Sequence, residues 1–289
     1  EQSKGGFDDL IIDIHVHPVF QEISSRPEMA RTVQQLALTS KRCFYRSQNI
    51  QSVAGFQEEM KNAGIDKVVI QVPGEKGVPA RPANEQASML LRLLPDKFLG
   101  FAGFDPNQGE EAVADIEYAV KQLGFKGLKT VSSLLELNIN DKAFYPCYAK
   151  AQELGVPILI HTGASPLVMG CRTKYVQPLM VDDVAFDFPE LKIICAHMGG
   201  HQYMDVHSML VRHPNVYADL SFWPLNPRYK DLMPWRLLEE TVPDKILLGS
   251  DYPCGQTPKE AVEAVRALPI SEDFKLKILG ENAARLLDL

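Results

Sequence analysis

Asp13-Ile14-His15-Val16-His17 follows a short apolar run and predicts a buried β-strand that ends in a pair of histidines. Because side chains alternate between the faces of a strand, we expect the aspartate and both histidines on one face, with the isoleucines at 12 and 14 and the valine on the other. The apolar face is predicted to pack against helices, and the polar face to point into an enclosed interior. Two histidines two residues apart can jointly bind one metal ion there. Two partly exposed histidines at a strand end are the alternative.

Seven further apolar runs recur along the chain and are nearly continuous in hydrophobicity, as in parallel strands that are covered on both faces. The eight runs occupy residues 10–15, 67–72, 98–104, 125–129, 157–161, 192–197, 216–220 and 245–249. Between them lie segments with helical spacing, such as 111–123 before Gly124 and 142–154 before Gly155. Eight strand-helix units predict a (β/α)₈ TIM barrel that forms a single domain over residues 1–289. The rival, an open doubly wound sheet, would more often show a glycine-rich turn after its first strand.

Two segments depart from this repeat. Residues 18–49 form an insertion after the first strand, which we interpret as a loop over the catalytic face of the barrel. Extra surface helix or an oligomer contact is the alternative. The tail, 271–289, is predicted to form one or two helices that close the barrel.

The composition is that of an ordinary soluble protein: 289 residues, 45% hydrophobic and 23% charged, with a formal net charge of -7. No basic stripe indicates nucleic-acid binding, and no apolar run is long enough to cross a membrane. The five cysteines are scattered and form no CxxC pair, and the first residues do not resemble a signal peptide. A cytoplasmic location is therefore expected, although export with processing before residue 1 stays open.

Other residues that can bind a metal stand at the ends of other predicted strands. His161 ends the fifth run, His197 ends the sixth, and Asp251 follows the eighth. A barrel brings the carboxyl ends of its strands into one ring, so these residues should become neighbours of His15 and His17. The sequence therefore predicts a metal site at this end of the barrel.

The chain resembles members of the amidohydrolase superfamily, in the amidohydrolase-related branch that includes aminocarboxymuconate-semialdehyde decarboxylase. The matching motifs run in order along nearly the whole chain, so the resemblance is specific for the fold and the metal site but not for the substrate. They are Asp13-Ile-His15-Val-His17-Pro18, Ile160-His161-Thr162-Gly163, Phe188-Pro189-Glu190-Leu191-Lys192, Ala196-His197-Met-Gly199-Gly200, Gly249-Ser250-Asp251-Tyr252-Pro253 and Gly280-Glu-Asn282-Ala283-Ala284-Arg285-Leu286.

The resemblance implies that His15, His17, His161 and Asp251 bind one divalent ion. Zn²⁺ is expected from the imidazole and carboxylate ligands, with Mn²⁺, Fe²⁺ and Co²⁺ as alternatives. It also implies a metal-bound water with a pKa lowered toward about 7. Asp251 would then transfer the proton, and His197 would hydrogen-bond the water or polarise the reacting carbonyl.

Several other residues are candidates for binding a small, carboxylated substrate. Lys129 ends the fourth run and would bind a substrate carboxylate, form a structural ion pair, or bridge two metals as a carboxylated lysine does in some relatives. Arg172 and Lys174 could bind an anion or be solvated loop charges. His201 could line the site or begin a helix, and Trp223 could wall the pocket or be packed in the core.

Three remaining residues are given no role in the site. His207 and His213 lie on or beyond a predicted helix and are expected at the surface. Cys254 lies near Asp251 in sequence but has no basic neighbour, which argues against a nucleophile.

The predicted reaction is hydrolysis of a small carboxylated ester, lactone or amide by metal-activated water. The alternative is non-oxidative decarboxylation of an aromatic or muconate-like acid, which the same ligands could support. Several aromatic-acid decarboxylases of the branch carry glutamate in place of the first histidine, and His15 therefore favours hydrolysis. A third hypothesis is a barrel whose metal has only a structural or binding role. Relatives are often dimers, so a homodimer is possible, but no stretch identifies a contact.

Overall fold

The structure is a computed structural model, and it describes residues 10–18, 20, 52–164 and 172–289. The predicted insertion at 18–49 lies outside the described residues except for Pro18 and Phe20. The ring of Phe20 is buried against those of Phe56 and Phe98.

Eight parallel strands pair in chain order and confirm the predicted TIM barrel. They are β1 (Ile12–Val16), β2 (Lys67–Gln71), β3 (Phe98–Gly103), β4 (Gly127–Thr130), β5 (Ile158–Ile160), β6 (Ile193–Cys195), β7 (Val216–Asp219) and β8 (Ile246–Leu247). The two end strands meet through the main-chain hydrogen bond from Ile14 N to Leu248 O, at 2.9 Å, and through a bridge between Val16 and Tyr252. These contacts bring the first strand alongside the last and nearly close the barrel.

Helices follow the strands and cover the barrel. They are α1 (Val53–Ala63), α2 (Ala80–Leu93), α3 (Glu110–Lys121), α4 (Ser132–Leu135), α5 (Tyr145–Glu153), α6 (Met180–Asp187), α7 (Tyr203–Arg212), α8 (Trp235–Thr241), α9 (Pro258–Arg266), α10 (Glu272–Leu276) and α11 (Asn282–Leu287). Short 3₁₀ segments occur at Pro106–Gln108, Lys142–Phe144, Thr173–Val176, Ala196–Gln202, Lys230–Leu232 and Pro243–Lys245, and a π-helical turn spans Lys277–Glu281. Among the described helices, none is both long enough and apolar enough to cross a membrane.

Two hydrophobic cores account for the packing. The larger core lies between the strands and the helices. The smaller core takes residues from most of the strands and fills the barrel interior: Ile12, Ile14, Val69, Leu99, Phe101, Leu159, Ile194, Ala196 and Leu247, with Ala283, Ala284, Leu286 and Leu287 from the tail. The predicted role of the tail in closing the barrel is therefore confirmed.

The face assignment predicted for the first strand is wrong in part. Ile12 and Ile14 belong to the interior core, whereas Val16 packs with the helices as expected. The reason is an irregularity in β1: Asp13 pairs with Val68 and Val16 with Ile70, so two residues of β1 stand opposite one of β2. This bulge breaks the strict alternation and lets His15 join Ile14 on the interior side.

Candidate active site

Three predicted ligands form a compact set at the carboxyl end of the barrel. The Nε2 atoms of His15 and His17 lie 3.1 Å apart, and Asp251 Oδ1 lies 3.6 Å from each of them. With metal–nitrogen bonds of about 2.0–2.1 Å, two imidazoles on one ion place their nitrogens about 3.0–3.4 Å apart. The spacing of the two histidines therefore fits a shared metal ion.

The ring of His15 is oriented by its other nitrogen. His15 Nδ1 lies 2.9 Å from Asp219 Oδ2 and 3.1 Å from Ser221 Oγ. A carboxylate only accepts hydrogen bonds, so Nδ1 carries the hydrogen and Nε2 keeps its lone pair. Lys129 Nζ donates to that lone pair at 3.2 Å, which shows that a positive charge is already accommodated at this point.

The ring of His17 is less enclosed than that of His15 but is also held from behind. It hydrogen-bonds the main-chain carbonyl of Gln71, and 21% of its side chain is exposed. Burial lowers the pKa of both His15 and His17 well below the usual range, with Lys129 adding to the effect. Both rings are therefore neutral at pH 7 and can act as metal ligands.

Asp251 stands in a turn directly after β8. Its backbone has a positive φ of 56°, and its N–H donates to His15 O at 2.8 Å, which fixes the turn against the first strand. Its Oδ2 atom is buried and has no hydrogen-bond partner among the described residues. Burial raises the pKa of Asp251 well above its ordinary value; Asp219 and Asp13 add to the rise, and Lys129 opposes it.

The charges of the cluster favour a divalent cation. Within the described part of the chain, the buried carboxylates Asp13, Asp219 and Asp251 face one ammonium group, Lys129. Fully ionised, these groups leave a formal excess of two negative charges in a low-dielectric interior, where uncompensated charge is costly. Burial accordingly raises the pKa of Asp13 to about 7. A divalent ion bound at His15, His17 and Asp251 would neutralise this excess of negative charge.

His161 and His197 lie together beside this set. His161 Nδ1 is 3.0 Å from His197 Nε2, and the rings of His15 and His197 are stacked with centroids 5.0 Å apart. Burial lowers the pKa of His161 to about 3 and that of His197 well below its usual range. The structure thus brings both predicted residues to the ring of strand ends, with His161 in contact with His197.

Close contact between two loops places these histidines side by side. Gly163 follows His161 with a φ of 80°, and a Cβ atom there would lie 2.2 Å from Gly199 O. Only glycine allows the β5 and β6 loops to approach so closely. The β6 loop is itself left-handed, since His197 has a φ of 60° and Met198 a φ of 48°.

Lys129 is fully inside the cluster, in contact with His15. Burial lowers its pKa to about 8, although Asp219 and Asp251 oppose the change. Its position agrees with either a structural charge pair or a contact to a substrate carboxylate.

The remaining substrate candidates are spread out. Arg172, Lys174 and His201 are exposed, so the structure does not bring their side chains into the buried cluster. Trp223 is half-buried and packs edge-on against Phe222, whose ring in turn contacts that of His197 with centroids 6.1 Å apart. Trp223 therefore continues an aromatic series that begins at the site.

The prediction that His207 and His213 are surface residues is wrong. His207 is buried and contacts Thr241 Oγ1 at 3.0 Å, and His213 is buried with Nε2 2.6 Å from Asp182 Oδ1. Each fills a gap between neighbouring helices, where a polar tip can still reach a partner. Cys254 is buried and its amide donates to Asp251 O at 2.7 Å, so this residue helps to close the turn.

Sequence reasoning missed Asp219 and Ser221, which contact His15 and His197 from β7. The available signal was their alternation at the end of the seventh apolar run, where Asp219 and Ser221 flank Leu220. The predicted metal ligands stand at the ends of other strands, and β7 carries none of them.

Two curated proteins are similar to the chain over most of its length. The 2-amino-3-carboxymuconate-6-semialdehyde decarboxylase of Dictyostelium discoideum is 23% identical over 277 residues, covering 80% of this chain and 75% of the relative. The gamma-resorcylate decarboxylase of Rhizobium sp. (strain MTP-10005) is 23% identical over 278 residues, covering 78% of this chain and 84% of the relative.

These relatives overturn the predicted hydrolysis of an ester, lactone or amide. Both are decarboxylases, which favours the alternative reaction. The prediction failed because it relied on His15 being a histidine and not a glutamate. An imidazole at this position binds a metal equally well for either reaction, so it does not discriminate between them.

Solved structures agree with the barrel. An uncharacterized TIM-barrel protein from Bordetella bronchiseptica superposes with a TM-score of 0.78 at 24% identity, covering 96% of this chain and 98% of that one. The 5-carboxyvanillate decarboxylase of Novosphingobium aromaticivorans, solved with manganese, superposes with a TM-score of 0.71 at 18% identity, covering 100% of this chain and 98% of that one. The sequence profile described as amidohydrolase matches residues 12–289, and the chain therefore belongs to the amidohydrolase family.

Proposed function

We propose that the protein is a metal-dependent, non-oxidative decarboxylase of a small aromatic or muconate-like carboxylic acid. The observation that carries the proposal is the compact set of His15, His17 and Asp251, in which the second carboxylate oxygen of Asp251 has no partner among the described residues. The decarboxylase relatives support the reaction class.

His15, His17, His161 and Asp251 would hold one divalent ion, Zn²⁺ or Mn²⁺. Histidine and carboxylate donors without thiolate suit both metals, and manganese is present in the 5-carboxyvanillate decarboxylase structure. When bound, the ion would supply positive charge that binds and orients an anionic substrate.

Asp251 is the proposed proton donor. Its Oδ1 lies toward the nitrogens of His15 and His17, so Oδ2, which has no hydrogen-bond partner among the described residues, is the oxygen that would carry and deliver the proton. The proton is transferred to the carbon that bears the carboxylate. The new C–H bond takes a π pair of the substrate; the bond to the carboxylate then breaks, its electron pair restores the π system, and CO₂ leaves, after which solvent reprotonates Asp251.

Neighbouring residues would bind the substrate. Lys129 is the buried cation next to His15 and would offset the charge of a carboxylate or phenolate. Phe222 and Trp223 would pack against a planar ring, because they form the aromatic side of the cluster beyond His197. His197, which is neutral, would hydrogen-bond the substrate.

Two buried cysteines that form no disulfide, Cys147 and Cys195, support the proposed cytoplasmic location. The single-domain extent over residues 1–289 and a homodimeric state remain part of the proposal.

The test measures CO₂ release and product formation by protein loaded with Zn²⁺ or Mn²⁺. The substrates are γ-resorcylate, 5-carboxyvanillate and 2-amino-3-carboxymuconate-6-semialdehyde. We expect CO₂ and a product that lacks the carboxylate, and solvent deuterium on the carbon that carried it. Asp251→Asn should lower kcat by about 10²–10⁴-fold, the usual contribution of a positioned general acid. Asp187→Asn, an exposed carboxylate that accepts from Tyr145, is the control and should leave kcat unchanged.

The proposal is overturned if the metal-loaded protein adds water to these compounds without releasing CO₂. Full decarboxylase activity in Asp251→Asn would remove the proposed role of that carboxyl group.

A further inference from the structure

We propose that Asp219 and Ser221, at the carboxyl end of β7, are positioning residues that set the hydrogen placement in three histidine rings. They assign the hydrogen to Nδ1 of His15, His197 and His161, and thereby leave the Nε2 lone pairs of His15 and His161 for the metal. The inference rests on the proposed metal site, and it concerns residues outside the predicted ligand set.

The first step is the contact between Asp219 and His15. Asp219 Oδ2 lies 2.9 Å from His15 Nδ1, and a carboxylate offers only lone pairs. The hydrogen of this contact must therefore come from the ring. A neutral imidazole carries one hydrogen, so His15 Nε2 is left unprotonated.

The second step passes through the hydroxyl of Ser221. This hydroxyl hydrogen-bonds Asp219 Oδ1, and only the hydroxyl can supply the hydrogen between the two oxygens. Ser221 Oγ then has only lone pairs left for its other neighbours. His197 Nδ1, at 2.8 Å, must therefore act as the donor toward it, while the hydrogen of His15 Nδ1, at 3.1 Å, is directed at Asp219 Oδ2.

The third step reaches His161. Because His197 is buried against His15 and His161, and no described carboxylate contacts its ring nitrogens, the ring carries only the hydrogen on Nδ1 and its Nε2 is an acceptor. That atom lies 3.0 Å from His161 Nδ1, which must donate. The remaining nitrogen of His161, Nε2, therefore keeps its lone pair, as a metal ligand requires. One carboxylate thus determines the state of two predicted ligands through a chain of hydrogen bonds.

The surroundings hold Asp219 in place for this role. The carboxylate is fully buried, and Oδ1 also accepts from the main-chain amides of Ser221 at 2.9 Å and His197 at 3.0 Å. The second of these bonds ties Asp219 to the left-handed β6 loop. The group therefore fixes both the backbone and the ring of His197.

The direct test is nitrogen-15 NMR of the histidine rings in metal-free protein, with resonances assigned by single His→Gln variants. The wild type should show the hydrogen on Nδ1 in His15, His161 and His197. Ser221→Ala should change the ring state of His197 and His161 but leave His15 with Asp219. Thr241→Val, which removes a hydroxyl next to His207, is the control and should leave the three site rings unchanged.

Asp219→Asn tests the carboxylate at which this series of hydrogen bonds begins. The amide can donate to His15 Nδ1, which would move the ring hydrogen to Nε2 and block the ligand atom. Competition with a chelator should show metal binding about 10–100-fold weaker than in the wild type. Equal metal affinity in Asp219→Asn would contradict the inference.

A hydrogen on Nε2 of His15 or His161 in the metal-free wild type overturns the inference, and so does a Ser221→Ala variant with unchanged His161. These measurements need neither metal nor substrate. A protein with the expected ring states but without decarboxylase activity would refute the proposed function alone.

Discussion

The two ends of the barrel interior are built by the same strands from opposite kinds of side chain. Toward the amino end, aliphatic residues such as Ile12 and Leu159 fill the interior, and the α11 helix seals it with Ala283 and Leu286. Toward the carboxyl end, histidines and carboxylates replace them, beginning with His15 only one residue after Ile14. The transition from core to site therefore takes place within a single strand.

The difference teaches how the fold separates stability from chemistry. At the apolar end, burial removes hydrocarbon from water and stabilises the barrel. At the polar end, burial costs free energy because it disfavours the charged forms of the side chains. It therefore lowers the pKa of the histidines and raises those of Asp13 and Asp251. The closed end thus provides the stability that allows the other end to hold mutually repelling charges. Four substitutions test this division, in order of decreasing effect.

His17→Ala removes a predicted ligand from the polar end. We expect metal binding at least about 100-fold weaker and decarboxylase activity lost, because one of the two facing imidazoles is gone. The folded structure should persist, since 21% of the side chain is exposed. Metal analysis after dialysis and CO₂ assays measure the effect. His207→Ala is the matched control, because that histidine lies on α7 and contacts Thr241; loss of metal in the control as well would contradict a specific site.

Leu159→Ala alters the apolar end. The side chain is fully buried in the interior core, so its truncation should lower the free energy of unfolding by about 2–5 kcal/mol. The kcat of the folded variant should stay near the wild-type value. Denaturant unfolding gives the first quantity and CO₂ release the second. Leu232→Ala, with 65% of the residue exposed, should leave both unchanged. A large loss of kcat in folded Leu159→Ala would show that the two ends are not independent.

Asp251→Asn should make the metal-free protein more stable to heat. On folding, this carboxyl group must either bury its charge near Asp219 and Asp13 or bind a proton that it does not hold in the unfolded chain at neutral pH, and an amide avoids both costs. Thermal unfolding in the presence of a chelator measures the change, and the midpoint should rise. A lower midpoint would indicate that the Asp251 charge is stabilising through Lys129.

Thr257→Ala should have the smallest effect. Thr257 caps α9 and accepts from the Glu260 amide at 3.2 Å, in a capping box that lies on the outer surface after the Asp251 turn. Loss of the cap should cost about 1 kcal/mol of unfolding free energy without a change in kcat. Thr257→Ser, which keeps the hydroxyl, should retain the stability. Equal loss in both variants would rule out the cap as the cause.

Much of the fold could be predicted from the sequence. Parallel strands buried on both faces appear as continuous apolar runs, and for this reason all eight strands were identified near their observed positions. The helices α3 and α5 end shortly before Gly124 and Gly155 as expected. The faces of β1 were not predictable, because a bulge breaks the alternation and depends on pairing with β2.

The candidate site was predictable where residues stand at strand ends. The structure brings His15 together with His17 and Asp251, and His197 contacts both His15 and His161, while their joint role as a metal site stays a prediction. Asp219 was missed because it binds other side chains through hydrogen bonds, and such partners are visible only after the chain has folded. The burial of His207 and His213 depends on how helices pack, which their local sequence does not reveal.

The sequence by itself determined the barrel and the kinds of side chain at its carboxyl end. Hydrophobic periodicity specifies strands and helices locally, and the order of strands specifies which ends meet. Only the tertiary structure decided which nitrogen of His15 faces which neighbour, because Asp219 and Ser221, which contact its Nδ1, lie more than 200 residues away in the chain. The reaction class followed from neither, since the same imidazoles and carboxylates can serve hydrolysis and decarboxylation alike; the decarboxylase relatives favour decarboxylation.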